Sequence, residues 1–222
     1  MDPDSYQSHR PPNTAQYQFR GHHIISDQVG QGELGVVWRE LERVLDAGVP
    51  GDIVEFGCYV GTTSLFIRRL LEEHGESDKR VFHAYDSFEG LPEKDKQDQS
   101  AAGTAFQPGK LAVSKKEFLH QFRAANLRPP VVHKGWFNQL TDQNVPDSIA
   151  FAFLDGDFYD SILDPLRLVW PRMSQGGVVL VDDVGREALP GAERAVRDFF
   201  GGRPPIIRQE HNIAIIKARK KM

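Results

Sequence analysis

Residues 53–64 read Ile53-Val54-Glu55-Phe56-Gly57-Cys58-Tyr59-Val60-Gly61-Thr62-Thr63-Ser64. A short apolar run, Ile53 to Phe56, predicts a buried strand, and the amphipathic stretch from Thr62 to His74 predicts a helix. Gly57 permits a tight turn between them, and Gly61 lets the backbone come close to a ligand. The first amides of such a helix have no partners within it, so they suit an anionic group such as a methionine carboxylate. Thr62, Thr63 and Ser64 can cap the helix or add hydroxyl contacts. An ordinary strand-to-helix turn also accepts Gly and Thr, so both readings stand on this stretch alone. Because Cys58 and Tyr59 follow Gly57, the stretch does not spell G-x-G-x-x-G, which counts against a dinucleotide. Cys58 reads as a small packed residue rather than a nucleophile.

Outward from this turn, short apolar runs alternate with amphipathic stretches. Strands are predicted at Val81 to Tyr85, Val131 to His133, Ile149 to Leu154 and Val178 to Val181. Helices are predicted at Ser114 to Asn126, Tyr159 to Trp170 and from Pro190 to Gly201. Ile206–Ile207 and Asn212 to Lys217 suggest a closing hairpin. The pattern specifies an α/β fold with a mostly parallel sheet flanked by helices. In such sheets ligands sit beyond the carboxyl ends of the strands. Upstream, Leu34, Val37, Trp38, Leu41, Val44 and Leu45 form one face of a helix over Glu33 to Ala47, stopped by Gly48 and Pro50. Residues 1–32 read as a flexible N-terminal arm or lid, and 33–222 as one domain. The polar stretch Glu93 to Lys110 has the length of a lid or a disordered loop.

A net charge of −4 argues against an electrostatic grip on nucleic acid or an anionic membrane. The basic run Lys217 to Lys221 reads as a solvated tail. With one cysteine, Cys58, no intramolecular disulfide can form. The start of the chain lacks the apolar core of a secretory signal, and no apolar run is long enough for a bilayer. A cytoplasmic address is the expectation.

Acidic residues follow three of the predicted strands. Asp86 lies roughly 20–30 residues after the glycine turn, where a carboxylate can accept from both hydroxyls of a ribose; an Asx turn is the alternative. Asp155 and Asp157 end one later strand, and Asp182 and Asp183 end the next. At an effective dielectric near 20, two like charges about 4 Å apart repel by about 4 kcal/mol, so such a cluster needs protons, solvent or a cation. Hard oxygen donors favour Mg²⁺ or another divalent cation, with Asp155, Asp182 and Asp183 as ligands. Adjacent strand residues face opposite ways, so Asp182 and Asp183 can share an ion only if the strand has ended, as Gly185 suggests. Helix capping is the competing role, and the better one for Asp160 or Ser161.

Taken together, these motifs resemble the macrocin O-methyltransferase family. The matching stretches are Val54-Glu55-Phe56-Gly57 with Gly61, Tyr85-Asp86-Ser87-Phe88-Glu89-Gly90-Leu91-Pro92, Gly135-Trp136-Phe137, Leu154-Asp155-Gly156-Asp157-Phe158-Tyr159, Gly176-Gly177 with Asp182-Asp183, and Pro190-Gly191 with Ala195-Val196. The resemblance implies a class I methyltransferase (Rossmann-like) fold with a reversed last strand, S-adenosylmethionine and Mg²⁺ as cofactors, and a homodimer. It implies that Glu55, Gly57, Gly61 and Ser64 line the methionine end, that Asp86 holds the ribose, and that Ser87, Gly135 and Trp136 lie near the adenine. It likewise implies that Asp155, Asp182 and Asp183 bind the metal and that Asp157 is the base. Cys58-Tyr59-Val60 departs from the family pattern, and the N-terminal region matches it poorly.

The expected reaction is therefore methylation of a hydroxyl on a small molecule, with a sugar of a glycosylated natural product as the implied acceptor and a phenol or catechol as the alternative. A carboxylate close to the acceptor can take its proton: Asp157 first, Asp155 second, with His22, His23 and His133 as further candidates. Two rival functions share these residues. Asp155-Gly156-Asp157 fits the Asp-x-Asp element of a metal-dependent glycosyltransferase, and the glycine turn could serve a non-catalytic binding module.

Overall fold

The computed structural model describes residues 18–203 and 205–218. Most of the expected arm, residues 1–17, and the end of the basic tail, residues 219–222, lie outside the described residues. A two-residue hairpin, β1 (Gln18–Phe19) and β2 (His22–His23), precedes helix α1 (Gln31–Asp46). Phe19 meets Trp38 of α1 edge-on at 6.0 Å and Phe66 at 5.4 Å.

Then follow β3 (Asp52–Phe56), α2 (Thr62–Glu73), β4 (Phe82–Asp86), α3 (Lys115–Ala124), β5 (Val131–Lys134) and β6 (Ile149–Leu154). The chain continues with α4 (Tyr159–Val169), β7 (Met173–Val181), α5 (Pro190–Phe199), β8 (Ile206–Glu210) and β9 (Ile213–Lys217). Each expected element is present, with ends moved by a few residues; β7 extends upstream as far as Met173, through Gly176-Gly177.

The seven strands β3 to β9 form one sheet in the order β5-β4-β3-β6-β7-β9-β8. Only β9 runs against its neighbours, pairing antiparallel with both β7 and β8. The cause is local. His211 and Asn212 both take positive φ, 48° and 63°, a two-residue turn that can join only antiparallel strands. Because β8 has crossed over to the outside, the returning β9 fills the slot beside β7.

Alternation along the strands separates two apolar layers. Ile53, Phe151, Phe153 and Leu180 pack with Leu34, Leu41, Ile67 and Leu70 of α1 and α2. Val54, Ala152, Leu154 and Val179 pack with Ile162, Leu166, Ala192 and Val196 of α4 and α5. Covered on both faces, the central strands read as near-continuous apolar runs. Strand order reverses between β3 and β6, which places the crevice at their carboxyl ends. Among the described residues no helix is long and apolar enough to cross a membrane.

Residues 93–110 form an ordered wall with two short 3-10 turns, Lys96–Asp98 and Ala101–Gly103. The ends of the segment are clasped by Leu91 N–H to the Lys110 carbonyl, 2.8 Å, and Gly109 N–H to the Leu91 carbonyl, 2.9 Å. Its middle is tied to the body by Ser100 Oγ donating to the Glu187 carbonyl, 2.7 Å, and by Arg194 donating to the Gln97 carbonyl. Polarity and missing periodicity suggested a loop here, but the partners that order it are distant in sequence.

Capping differs from expectation. Thr62, Thr63 and Ser64 do not cap α2, whose N-cap is Gly61 with a left-handed φ of 94°. Neither Asp160 nor Ser161 caps α4, because both lie inside its first turn and Phe158 is the N-cap residue. Instead the Tyr159 amide donates to Asp98 Oδ1 at 2.7 Å. A carboxylate from the wall thus does work that no local residue does.

Candidate active site

A cavity of about 330 Å³ opens at the carboxyl ends of β3, β4, β6 and β7. Its floor is the glycine turn. At Gly57, φ is +84° and an added Cβ would lie 1.8 Å from the Asp155 carbonyl oxygen, so only glycine lets the turn after β3 pass this close to the chain leaving β6. Gly61 serves packing rather than the cavity: its missing side chain makes room for the Phe118 ring, 3.0 Å from where a Cβ would stand. Asp86 braces the turn from β4. Its Oδ2 accepts from the Cys58 and Tyr59 amides at 2.7 and 3.1 Å, and its Oδ1 accepts from Phe88 N–H at 2.7 Å, an Asx turn. The Asp86 side chain lines the cavity nonetheless.

Beneath the turn, fully buried Glu55 accepts a hydrogen bond from Ser64. Burial first, and the Asp86 charge as well, push its carboxyl up to about 8, although the Ser64 bond opposes this. Its Oε1 and the Thr62 Oγ1 in the cavity wall are buried without hydrogen-bond partners among the described residues. In the cavity wall, an unspent polar atom such as the Thr62 hydroxyl is available to a ligand group.

Across the cavity, Asp155, Asp182 and Asp183 each bring one carboxylate oxygen to within 4.8 Å of the others. The backbone makes this possible: β7 ends at Val181 and Asp183 turns into the left-handed region, φ 59°, so neighbouring side chains that a strand would separate face the same space. Val184 N–H donates to the Asn212 carbonyl at 2.8 Å, and Gln209 Nε2 donates to the Val184 carbonyl at 2.6 Å, anchoring the turn to the β8–β9 hairpin. Asp157, also left-handed at φ 63°, lines the same space. Burial, then Asp182 and Asp157, hold the Asp155 carboxyl well above its ordinary range. Burial followed by Asp183 pushes Asp157 up to about 8. Burial followed by Asp183 raises Asp182 too. Acids arranged so, in a cleft, are short of positive charge.

A family model for macrocin O-methyltransferase (TylF) matches residues 23–207. The chain belongs to the macrocin O-methyltransferase family. This methyltransferase is 37% identical over 189 residues to the 8-demethyl-8-(2,3-dimethoxy-alpha-L-rhamnosyl)-tetracenomycin-C 4'-O-methyltransferase of Streptomyces olivaceus, covering 82% of this chain and 72% of that one. It is 35% identical over 150 residues to the demethyldecarbamoylnovobiocin O-methyltransferase of Streptomyces niveus, covering 64% and 56%. Among solved structures it superposes on the O-methyltransferase NovP with a TM-score of 0.76 at 28% identity, covering 90% of this chain and 84% of that one. It is an S-adenosylmethionine-dependent O-methyltransferase with the class I fold. Family membership removes the glycosyltransferase and binding-module readings of Asp155-Gly156-Asp157 and the glycine turn.

Of the residues singled out in the sequence of this methyltransferase, Gly57, Asp86, Ser87, Trp136, Asp155, Asp157, Asp182 and Asp183 line the cavity. Glu55, Gly61, Ser64 and Gly135 stand outside its lining. The histidines are elsewhere. His22 and His23 sit on the exposed β2, and His133 pairs with His83 at 3.0 Å between β4 and β5. Sequence reasoning missed Arg186, Phe106 and Asn138, which also line the cavity. Arg186 could have been found by asking which nearby cation answers Asp182 and Asp183. Phe106 and Asn138 carry no local signal, being brought in by the wall and by the turn after β5.

Proposed function

We propose that this enzyme methylates a hydroxyl on a sugar of a glycosylated natural product, using S-adenosylmethionine and a divalent cation, Mg²⁺ by preference, held by Asp155, Asp182 and Asp183. The observation that carries the reading is three carboxylates within 4.8 Å of one another beside the glycine turn. Their donors are hard oxygens, few enough to leave positions for water and substrate, and burial with mutual repulsion raises the Asp155 and Asp182 carboxyls, which is in keeping with a site that takes a cation. The sugar acceptor is supported by the Streptomyces olivaceus relative, a 4'-O-methyltransferase whose named substrate carries a rhamnosyl group.

In this reading the glycine turn at Gly57, with Glu55, Gly61 and Ser64 shaping it from behind, receives the methionine end of the cofactor. Asp86 takes the ribose, and Ser87, Gly135 and Trp136 surround the adenine. The sulfonium of S-adenosylmethionine supplies an electrophilic methyl group, and a divalent ion in the carboxylate site supplies Lewis acidity that eases loss of the acceptor proton. Asp157 accepts that proton as the methyl group transfers. Its carboxyl, pushed up to about 8 mainly by burial, makes it a stronger base than an exposed aspartate. A homodimer and a cytoplasmic address belong to the same proposal.

The test is mass spectrometry of reactions containing S-adenosylmethionine, Mg²⁺ and a panel of glycosylated and phenolic hydroxyl compounds. The expected product is a glycoside heavier by one methylene, lost when EDTA is present. Methylation confined to phenols would reject the acceptor, and full turnover in EDTA would reject the metal.

A further inference from the structure

The acidic cluster has one cationic neighbour among the described cavity-lining residues, Arg186. Its Nη1 donates to Asp183 Oδ1 at 2.8 Å. Local geometry delivers it there: the Arg186 amide donates to the Asp183 carbonyl at 3.1 Å, closing a turn that puts both side chains on one side. The guanidinium also lies 5.4 Å from the centre of the Phe106 ring in the opposite wall. While Asp183 is almost fully buried, the Arg186 side chain is 45% exposed, so the arginine can move and the aspartate cannot.

From this geometry we infer that Arg186 is a charge latch, a positioning residue that occupies Asp183 until a divalent ion displaces it. The inference rests on the metal reading above. A carboxylate oxygen spent on a guanidinium is less available to an ion, and a half-exposed arginine can retreat into solvent at little cost. Two positive groups cannot share one buried carboxylate cluster without mutual repulsion. Arg186 therefore lowers metal affinity while holding Asp183 oriented in the ion-free enzyme.

Isothermal titration of Mn²⁺ into the S-adenosylhomocysteine complex tests this. R186A is expected to bind Mn²⁺ about tenfold more tightly than the wild type, about 1.4 kcal/mol, while R186K stays close to the wild type. R186Q, which keeps the side chain's length without its charge, should follow R186A and serves if R186A folds poorly. Wild-type binding with unchanged or weaker affinity in R186A and R186Q overturns the latch and leaves the metal site standing. Absence of Mn²⁺ binding in all of them overturns both.

Discussion

Gly57 and Asp183 do their work through backbone angles that their neighbours avoid. At Gly57 any side chain would meet the Asp155 carbonyl at 1.8 Å, and the positive φ adds strain of its own. Gly57→Ala should therefore cost on the order of 2–4 kcal/mol and abolish S-adenosylhomocysteine binding; a urea titration and calorimetry measure the two effects. Asp182 lies in the acid cluster, where removing one charged oxygen takes away a proposed metal ligand and spares the glycine turn. If the cluster holds an ion as proposed, Asp182→Asn should lower turnover on the order of 100-fold or more, since a bound ion would contribute several kcal/mol, with cofactor affinity retained. Asp157→Asn should lower kcat by roughly 10²–10⁴ without weakening Mn²⁺ binding to the same degree. Equal losses of turnover and Mn²⁺ affinity in that variant would make Asp157 a ligand rather than the base.

Among the elements, the β4–β5 pair carries a titrating device outside the site. His83 and His133 meet at 3.0 Å, and His133 stacks on Tyr85 with ring centres 4.3 Å apart. Burial lowers both histidines below their ordinary 6.5; Asp52 opposes this at His83, whereas His83 and Lys115 reinforce it at His133. Below that pH the unfolded chain binds protons that the folded one refuses, so stability falls as the pH drops. His133→Phe keeps the stack and removes one proton acceptor, and the fall in Tm between pH 7 and pH 5 should then be shallower than in the wild type. A parallel fall in both proteins would show that other groups carry the acid limb. The wall acts at the same scale: Asp98→Ala, by uncapping α4, should cost about 1 kcal/mol in chemical denaturation and loosen residues 93–110 against proteolysis.

For the molecule as a whole, cofactor binding and stability are linked. A ligand at a hundred times its Kd adds about 2.7 kcal/mol, which for a chain of this size raises Tm by roughly 5–10 °C. S-adenosylhomocysteine should produce that shift in differential scanning fluorimetry, and a nucleotide sugar should not. Much of this architecture was legible in the chain beforehand. Alternating apolar runs set the parallel sheet, because strands buried on both faces have no choice of composition, and the glycine turn with acids after successive strands marked the crevice. Those signals are local, and their meaning follows from the rule that such sheets bind at their carboxyl ends. Other features depended on distant contacts. Asp98 caps a helix about sixty residues away in sequence, Gly61 yields space to the Phe118 ring, and the turn that carries Asp183 and Arg186 is anchored to the terminal hairpin. Periodicity and turn chemistry act over a few residues and so are written in the sequence; which side chain completes another's charge or hydrogen bond is decided by packing, and only the folded chain brings those partners together.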